Sequence, residues 1–300
     1  MTEPAPQAPR EALPLDSTAQ LLTRITTQLG TQLSLVSPNG TRRPMHRTRT
    51  PGPVLVAVAH GSRDPRALRT ALELLDRTRE LRPGLDVRLG HIELSEPLLP
   101  DTLAGIGHGE AVLVPLLLGR GHHVRHDLPR AAAASGLRTR VAAPLGPHPL
   151  LVETLYERLV EAGWRDADGT SRSAGVVLAA AGSRDPDSGA DARRTAAMLS
   201  ARLGGVPVVP AYASAATPTV PAAVRGLAAR GRHRVALASY FAAPGRFATA
   251  SADAAPGIAA APLGAHPAMA RLLLHRYDQA LTAAAPAHDT PAHAPLLATA

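Results

Sequence analysis

A short phrase occurs twice in this chain. Residues 52–65 read "GPVLVAVAHGSRDP" and residues 174–186 read "AGVVLAAAGSRDP". Each is an apolar run closed by Gly-Ser-Arg-Asp-Pro. Two further landmarks return in the same order: Pro97 of "SEPLLP" as Pro218 of "ATPTVP", and "PLGPHP" at 144–149 as "PLGAHP" at 262–267. The offsets are 121, 121 and 118 residues. Nearly constant spacing over three landmarks indicates a tandem duplication. The 300 residues then contain two units of about 110–120 residues, each large enough to bury a core of its own.

Within one unit, strand and helix alternate. "VLVAVA" from Val54 predicts a buried strand, and "DPRALRTALELLDRTREL" an amphipathic helix with Asp64 as its cap and Pro65 at its first position. Strands follow near 86–92, 111–117 and 138–142, and helices near 97–107, 127–135 and 149–162. The strands are apolar throughout, as in parallel sheets covered on both faces. The predicted fold is α/β, two tandem flavodoxin-like doubly wound domains with parallel sheets. Residues 54–165 form the first lobe and 172–284 the second, with a linker near 163–173. Residues 1–53 are expected to be disordered or linker, with a helix over 17–36, and 285–300 a disordered tail.

The duplication acts as an internal control. Gly-Ser-Arg-Asp-Pro survives in both copies, where glycine permits a tight turn and Asp-Pro starts a helix. His60 does not survive: its counterpart is Ala181. When "PLLLGRGHHVRHDLP" is set against "SYFAAPGRFATASAD" with Gly121 on Gly245, His123 falls opposite Phe247 and His122 opposite Arg246. Two histidines lost from two separate loops suggest that they work as a pair. Both loops follow strands, and ligands of open α/β sheets bind at that edge. Neutral imidazole binds divalent first-row metals and accepts protons near neutral pH. Glu93 and Glu96 end the second strand where the other copy has Ser214 and Thr217. Such a carboxylate is a third ligand, a proton acceptor or a solvated helix-start acid. His122 and His126 read as polar lining of the cleft mouth. No Glu stands in an HExxH arrangement with them, which disfavours a zinc protease.

Through "AHGSRDP", "HIELSEP", "GHHVRHDLP" and "APLGPHPLL" the chain resembles the sirohydrochlorin chelatases of the class II chelatase family. The resemblance is strong over about 52–165 and weaker over 172–282. It implies a lyase that inserts Fe2+ or Co2+ into sirohydrochlorin, for siroheme or cobalamin synthesis. Siroheme is favoured because no His-rich tract or second synthesis domain is appended. It implies His60 as the metal-binding, proton-accepting residue, His123 as the second metal ligand, and Glu93 as the strand-two carboxylate. The substrate loop would be Leu118, Gly119, Arg120, Gly121 and His122, with Glu96 beside it. The polycarboxylate would be clamped by Arg63, Arg120 and Arg125 through paired hydrogen bonds. The metal is then a substrate, and no tightly bound cofactor is expected. With both lobes in one chain, a monomer is expected.

Composition excludes some alternatives. There is no cysteine, hence no disulfide, thiolate site or cysteine nucleophile, which fits a cytoplasmic protein. No apolar run approaches eighteen residues and no secretory signal opens the chain, so no membrane partner is expected. A formal charge of +8 favours anionic partners. Nucleic acid is not expected, because the Arg residues are scattered and aromatics are only 2%. A histidine phosphatase would carry Arg where this chain has Ala59. A non-catalytic metal or tetrapyrrole carrier on the same fold is the alternative to the enzyme.

Overall fold

The structure, a computed structural model, describes residues 52–283. The helix expected over 17–36 and the tail expected from 285 lie outside them.

The first lobe runs β1 (Val54–Ala59), α1 (Pro65–Leu81), β2 (Val87–His91), α2 (Leu99–Ala104) and β3 (Glu110–Pro115). A single π-helical turn (His123–Asp127) leads into α3 (Leu128–Ala134), β4 (Arg138–Val141) and α4 (Pro149–Glu161). After the short α5 (Asp166–Thr170), the second lobe runs β5 (Ala174–Ala180), α6 (Pro186–Arg202), β6 (Val208–Tyr212), α7 (Val220–Ala228), β7 (Arg234–Tyr240), α8 (Arg246–Asp253) and α9 (Pro267–Thr282). The first sheet has the order β2-β1-β3-β4 and the second β6-β5-β7, with all neighbours parallel. This is a tandem doubly wound α/β fold. No helix among the described residues is long and apolar enough to cross a membrane.

The central strands are apolar because both faces are covered. Leu55, Val56, Ala57 and Val58 of β1 are fully buried, as are Val176, Val177, Leu178 and Ala179 of β5. Alternate residues serve different layers. Leu55 and Leu178 face a core shared by both lobes, filled by Leu75 of α1, Leu155 of α4, Leu199 of α6 and Leu272 of α9. Val56 and Val58 face outward to Leu103 of α2 and Leu128 of α3; Val177 and Ala179 face Leu227 of α7. The order is therefore outer helices, sheet, inner helices, sheet, outer helices. Asp64 and Asp185 each cap the helix that follows, accepting from the N–H of Arg66 and of Asp187, with proline first in each helix.

The lobes meet through matched contacts. The Arg158 guanidinium donates to the carbonyl of Leu263, and Arg276 donates to that of Leu145. Arg276 and Leu263 stand in the second half where Arg158 and Leu145 stand in the first. The interface is thus a pseudo-two-fold, isologous one folded into a single chain.

Two local expectations are revised. The stretch expected as linker contains the helical turn α5, since Asp168 accepts the Arg165 N–H at 2.9 Å and pairs with Arg234. Among the described residues the second sheet has no counterpart of β4, only an isolated bridge between Leu237 and Ala259. "PGIAA" at 256–260 offers a breaker followed by mostly small residues, where the first lobe has "RTRV".

Candidate active site

In a sheet of order 2-1-3-4 the connection from β1 to β2 and that from β3 to β4 run in opposite directions, which opens a crevice at the carboxyl ends of β1 and β3. His60 follows β1 directly. The loop from Leu116 to His122 follows β3. Both border a cleft of about 1410 Å³ between the lobes, lined by His60, Arg63 and His123 on one side and Ala181, Arg246 and Phe247 on the other.

The turn at His60 is held by its neighbour strand. The N–H of Ile92 donates to Ala59 O at 2.9 Å and that of Glu93 to His60 O at 3.0 Å. Gly61 has φ +101°, and a Cβ there would overlap the carbonyl oxygen of Glu93. Ser95 Oγ accepts from the Ser62 N–H and donates to Ser62 O, both at 3.0 Å. This locking places Glu93 Oε1 3.6 Å from His60 Nε2, with both side chains about half exposed.

His123 opens the π-helical turn, a distortion often found at functional sites. Its Nδ1 lies 2.6 Å from Asp127 Oδ2. An ionised carboxylate only accepts, so Nδ1 is the donor in this contact, which in the neutral ring leaves the lone pair on Nε2. The His60 and His123 rings meet edge to face, centroids 4.8 Å apart and planes at 89°. An ion bound at about 2.0–2.1 Å to one nitrogen of each ring would hold the centroids roughly 4.5–5.2 Å apart for angles at the ion between about 90° and 110°. The observed 4.8 Å falls within that range, so the spacing is compatible with a shared ion. Glu93 adjoins His60; among the described residues no group of three or more His, Cys, Asp or Glu side chains is gathered around one ion-sized point.

The remaining candidates divide. Leu118, Gly119, Arg120, Gly121, His122 and Arg63 line the cleft. The guanidinium groups of Arg63 and Arg246 have no hydrogen-bond or ion-pair partner among the described residues. Glu96 does not line it: its Oε2 accepts the Leu98 N–H at 3.1 Å, at the start of α2. Arg120 lines the cleft, but its guanidinium is engaged by the second lobe. Its Nε and a terminal nitrogen reach Asp191 at 3.1 and 2.7 Å, and its backbone N–H reaches the same carboxylate at 2.9 Å. That bonding raises the Arg120 guanidinium above its usual pKa. Arg125 pairs with Asp185, at 3.5 Å, and with Asp187. Among the described residues that line the cleft, the cations left unpaired are Arg63 and Arg246, with Arg66 beside them on Asp64.

His122 and His126 pack with centroids 4.7 Å apart at a separate depression beside Arg125 and Asp185. Sequence reasoning missed Asp127, Arg246 and the second-lobe residues Asp191 and Tyr240. The four-residue spacing of His123 and Asp127 was a usable signal. Tyr240, whose hydroxyl burial pushes up in pKa, donates to Leu118 O at 2.7 Å; no local pattern points to it.

The CbiX family model matches this chain twice, over residues 54–162 and 175–280. Sirohydrochlorin ferrochelatase of Bacillus subtilis is 27% identical over 172 residues, 55% of this chain and 64% of the relative. Sirohydrochlorin cobaltochelatase of Methanococcoides burtonii is 25% identical over 123 residues, 36% of this chain and 94% of the relative. Among solved structures, SirB from Bacillus subtilis with Fe3+ superposes with a TM-score of 0.62 at 23% identity, covering 76% of this chain and 95% of that one, a likeness of fold.

Proposed function

The chain belongs to the CbiX family, and on that premise we propose that it inserts a divalent metal, Fe2+ or Co2+, into sirohydrochlorin. One observation carries the reading: two imidazoles lost from the second lobe meet 4.8 Å apart at the switch point of the first, over the large cleft. That cleft exceeds the roughly 300–1,000 Å³ of ordinary small-molecule pockets, which suits a macrocycle. The named relatives are ferro- and cobaltochelatases.

Insertion exchanges two inner N–H protons of the macrocycle for one M2+. His123, its Nδ1–H held by Asp127, offers Nε2 to the incoming metal. His60 shares the metal and accepts a pyrrolic proton as the metal moves into the ring. Glu93, 3.6 Å from His60, steadies the imidazolium and passes the proton toward water. The second proton leaves by the same route. A two-imidazole set with water completing the shell holds the ion loosely enough to release it. Arg63 and Arg246 meet the carboxylates of the ligand. The metal is substrate, no resident cofactor enters any step, and a monomer contains the whole cleft.

The test is metal-insertion kinetics with Co2+ and Fe2+, followed in the visible spectrum, for the wild type, His60→Ala and His123→Ala. His60→Ala should lose at least about a hundredfold in rate, the scale of a lost acid–base group. Unchanged rates in both variants would remove the site. Stoichiometric binding without multiple turnover would identify a carrier instead.

A further inference from the structure

The two halves allow every contact across the cleft to be compared with its counterpart. On one side the loop that leads to His123 is gripped by the second lobe. Tyr240 donates to Leu118 O, and Asp191 collects three N–H bonds from Arg120. The Asp191 side chain is only 6% exposed. A Cβ on Gly119 would lie 3.5 Å from the Asp191 side chain, so the loop backbone rests directly on it. Asp187 stands 3.6 Å from Arg120 and also pairs with Arg125 inside the π-helical turn.

The counterpart contacts are missing on the other side. Asp191 matches Thr70, Asp187 matches Arg66 and Tyr240 matches Leu116. Arg120 and Arg125 match Pro244 and Thr249. Thr70 bonds within its own helix to Arg66 O, and Arg66 pairs with Asp64. Among the described residues neither reaches the loop that follows β7. The lobe that keeps the histidines is held, and the lobe that lost them does the holding.

From this asymmetry we infer that Asp191 and Tyr240 are positioning residues. They splint the Leu118–Arg120 segment and so fix His123 against His60. A loop with glycines at 119 and 121 would otherwise sample many conformations. Ligand geometry tolerates errors of only about half an ångström. The inference rests on the roles proposed for His60 and His123.

The experiment compares wild type with Tyr240→Phe and with the double variant Asp191→Thr/Arg120→Met. The double variant removes both charges, so no unpaired buried charge is left to unfold the protein. Tyr240→Phe removes one hydroxyl and keeps the ring. Amide hydrogen exchange is read over residues 116–124 and 240–248, and Co2+ affinity is read by absorption without tetrapyrrole. Exchange over 116–124 should quicken on the order of tenfold in the double variant and severalfold in Tyr240→Phe, with 240–248 unchanged. Co2+ affinity and kcat should fall together while the KM for sirohydrochlorin stays within about twofold. Unaltered exchange over 116–124 in both variants would overturn the inference, as would a rise in the KM for sirohydrochlorin alone. Normal insertion by His60→Ala and His123→Ala would instead sink the functional reading, independently of the exchange result.

Discussion

Gly61 and Gly182 occupy the same turn in the two lobes, and only one of those turns carries an imidazole. Their φ angles are +101° and +93°. A Cβ on residue 61 would lie 2.8 Å from the carbonyl carbon of Glu93, and one on residue 182 would lie 3.0 Å from that of Ser214. Each would also overlap the carbonyl oxygen. Alanine at either site carries a left-handed backbone cost of about 1–2 kcal/mol. Relief of the overlap also stretches a strand-end hydrogen bond, from Glu93 N–H to His60 O or from Ser214 N–H to Ala181 O, worth about 1 kcal/mol. Gly61→Ala and Gly182→Ala should therefore each lower stability by about 2–4 kcal/mol, and urea melts should agree within about 1 kcal/mol. Their chemistry should differ. Relief at residue 61 pushes Glu93 away from His60 by about an ångström, a displacement that costs on the order of a hundredfold in rate. Relief at residue 182 moves Ser214 from Ala181, neither of which handles the metal. Metal insertion, assayed where both variants are folded, should thus collapse in Gly61→Ala and stay within severalfold of wild type in Gly182→Ala. Equal rates in two equally destabilised variants would refute the assignment of His60 and Glu93.

Asp127→Asn should weaken Co2+ binding by about 10–100-fold, since the neutral amide no longer dictates the His123 tautomer; titration of the Co2+ absorption bands checks it. Arg63→Ala and Arg246→Ala should each raise the KM for sirohydrochlorin with kcat nearly unchanged, and the effect should shrink at high salt. His148 is lowered to a pKa of about 4, first by burial and then by Arg276 and His275. From pH 6.5 down to 4 the unfolded chain takes up a proton that the folded one refuses, so stability falls across that window and levels off below it. With solvent screening at this half-buried ring the loss is on the order of 2 kcal/mol. His148→Asn, which keeps an acceptor for the Leu150 N–H that His148 now caps, should flatten that stretch of the urea-midpoint curve.

The parts of the fold legible in the sequence are those set by local chemistry. Apolar runs closed by Gly-Ser-Arg-Asp-Pro dictate a buried strand, a tight turn and a capped helix, and both copies form them. The shared edge of His60 and His123 follows from strand order, because both loops leave strands that flank the switch point. Contacts that depend on how the lobes dock were not legible. Arg120 and Arg125 read as free cations for a polyanion, yet their partners Asp185, Asp187 and Asp191 lie far along the chain. Glu96 read either as a cleft carboxylate or as a helix-start acid, and its geometry is the second. For Asp127 the four-residue spacing from His123 was the one usable signal; the π-helical turn that brings the two together is announced by no apolar periodicity.

On the proposed function one macrocycle accepts one ion, and this limits what a second lobe can add. A second imidazole pair at Ala181 and Phe247 would place further ligands on the opposite wall. Every additional protein–metal bond must break before the ion passes into the ring. Two such sets would therefore hold the metal more tightly and slow its transfer, or would hold a second ion that the ring does not take. Loss of those histidines frees the wall for other work. Phe247 offers an aromatic surface with the Arg246 guanidinium 4.9 Å from its ring centre, a pairing suited to a conjugated ring edged with carboxylates. Asp191 and Tyr240 hold the opposite loop. A duplicated chain can divide its labour in this way, one lobe reacting and the other shaping, whereas two identical chains related by a true two-fold must carry every residue at both positions.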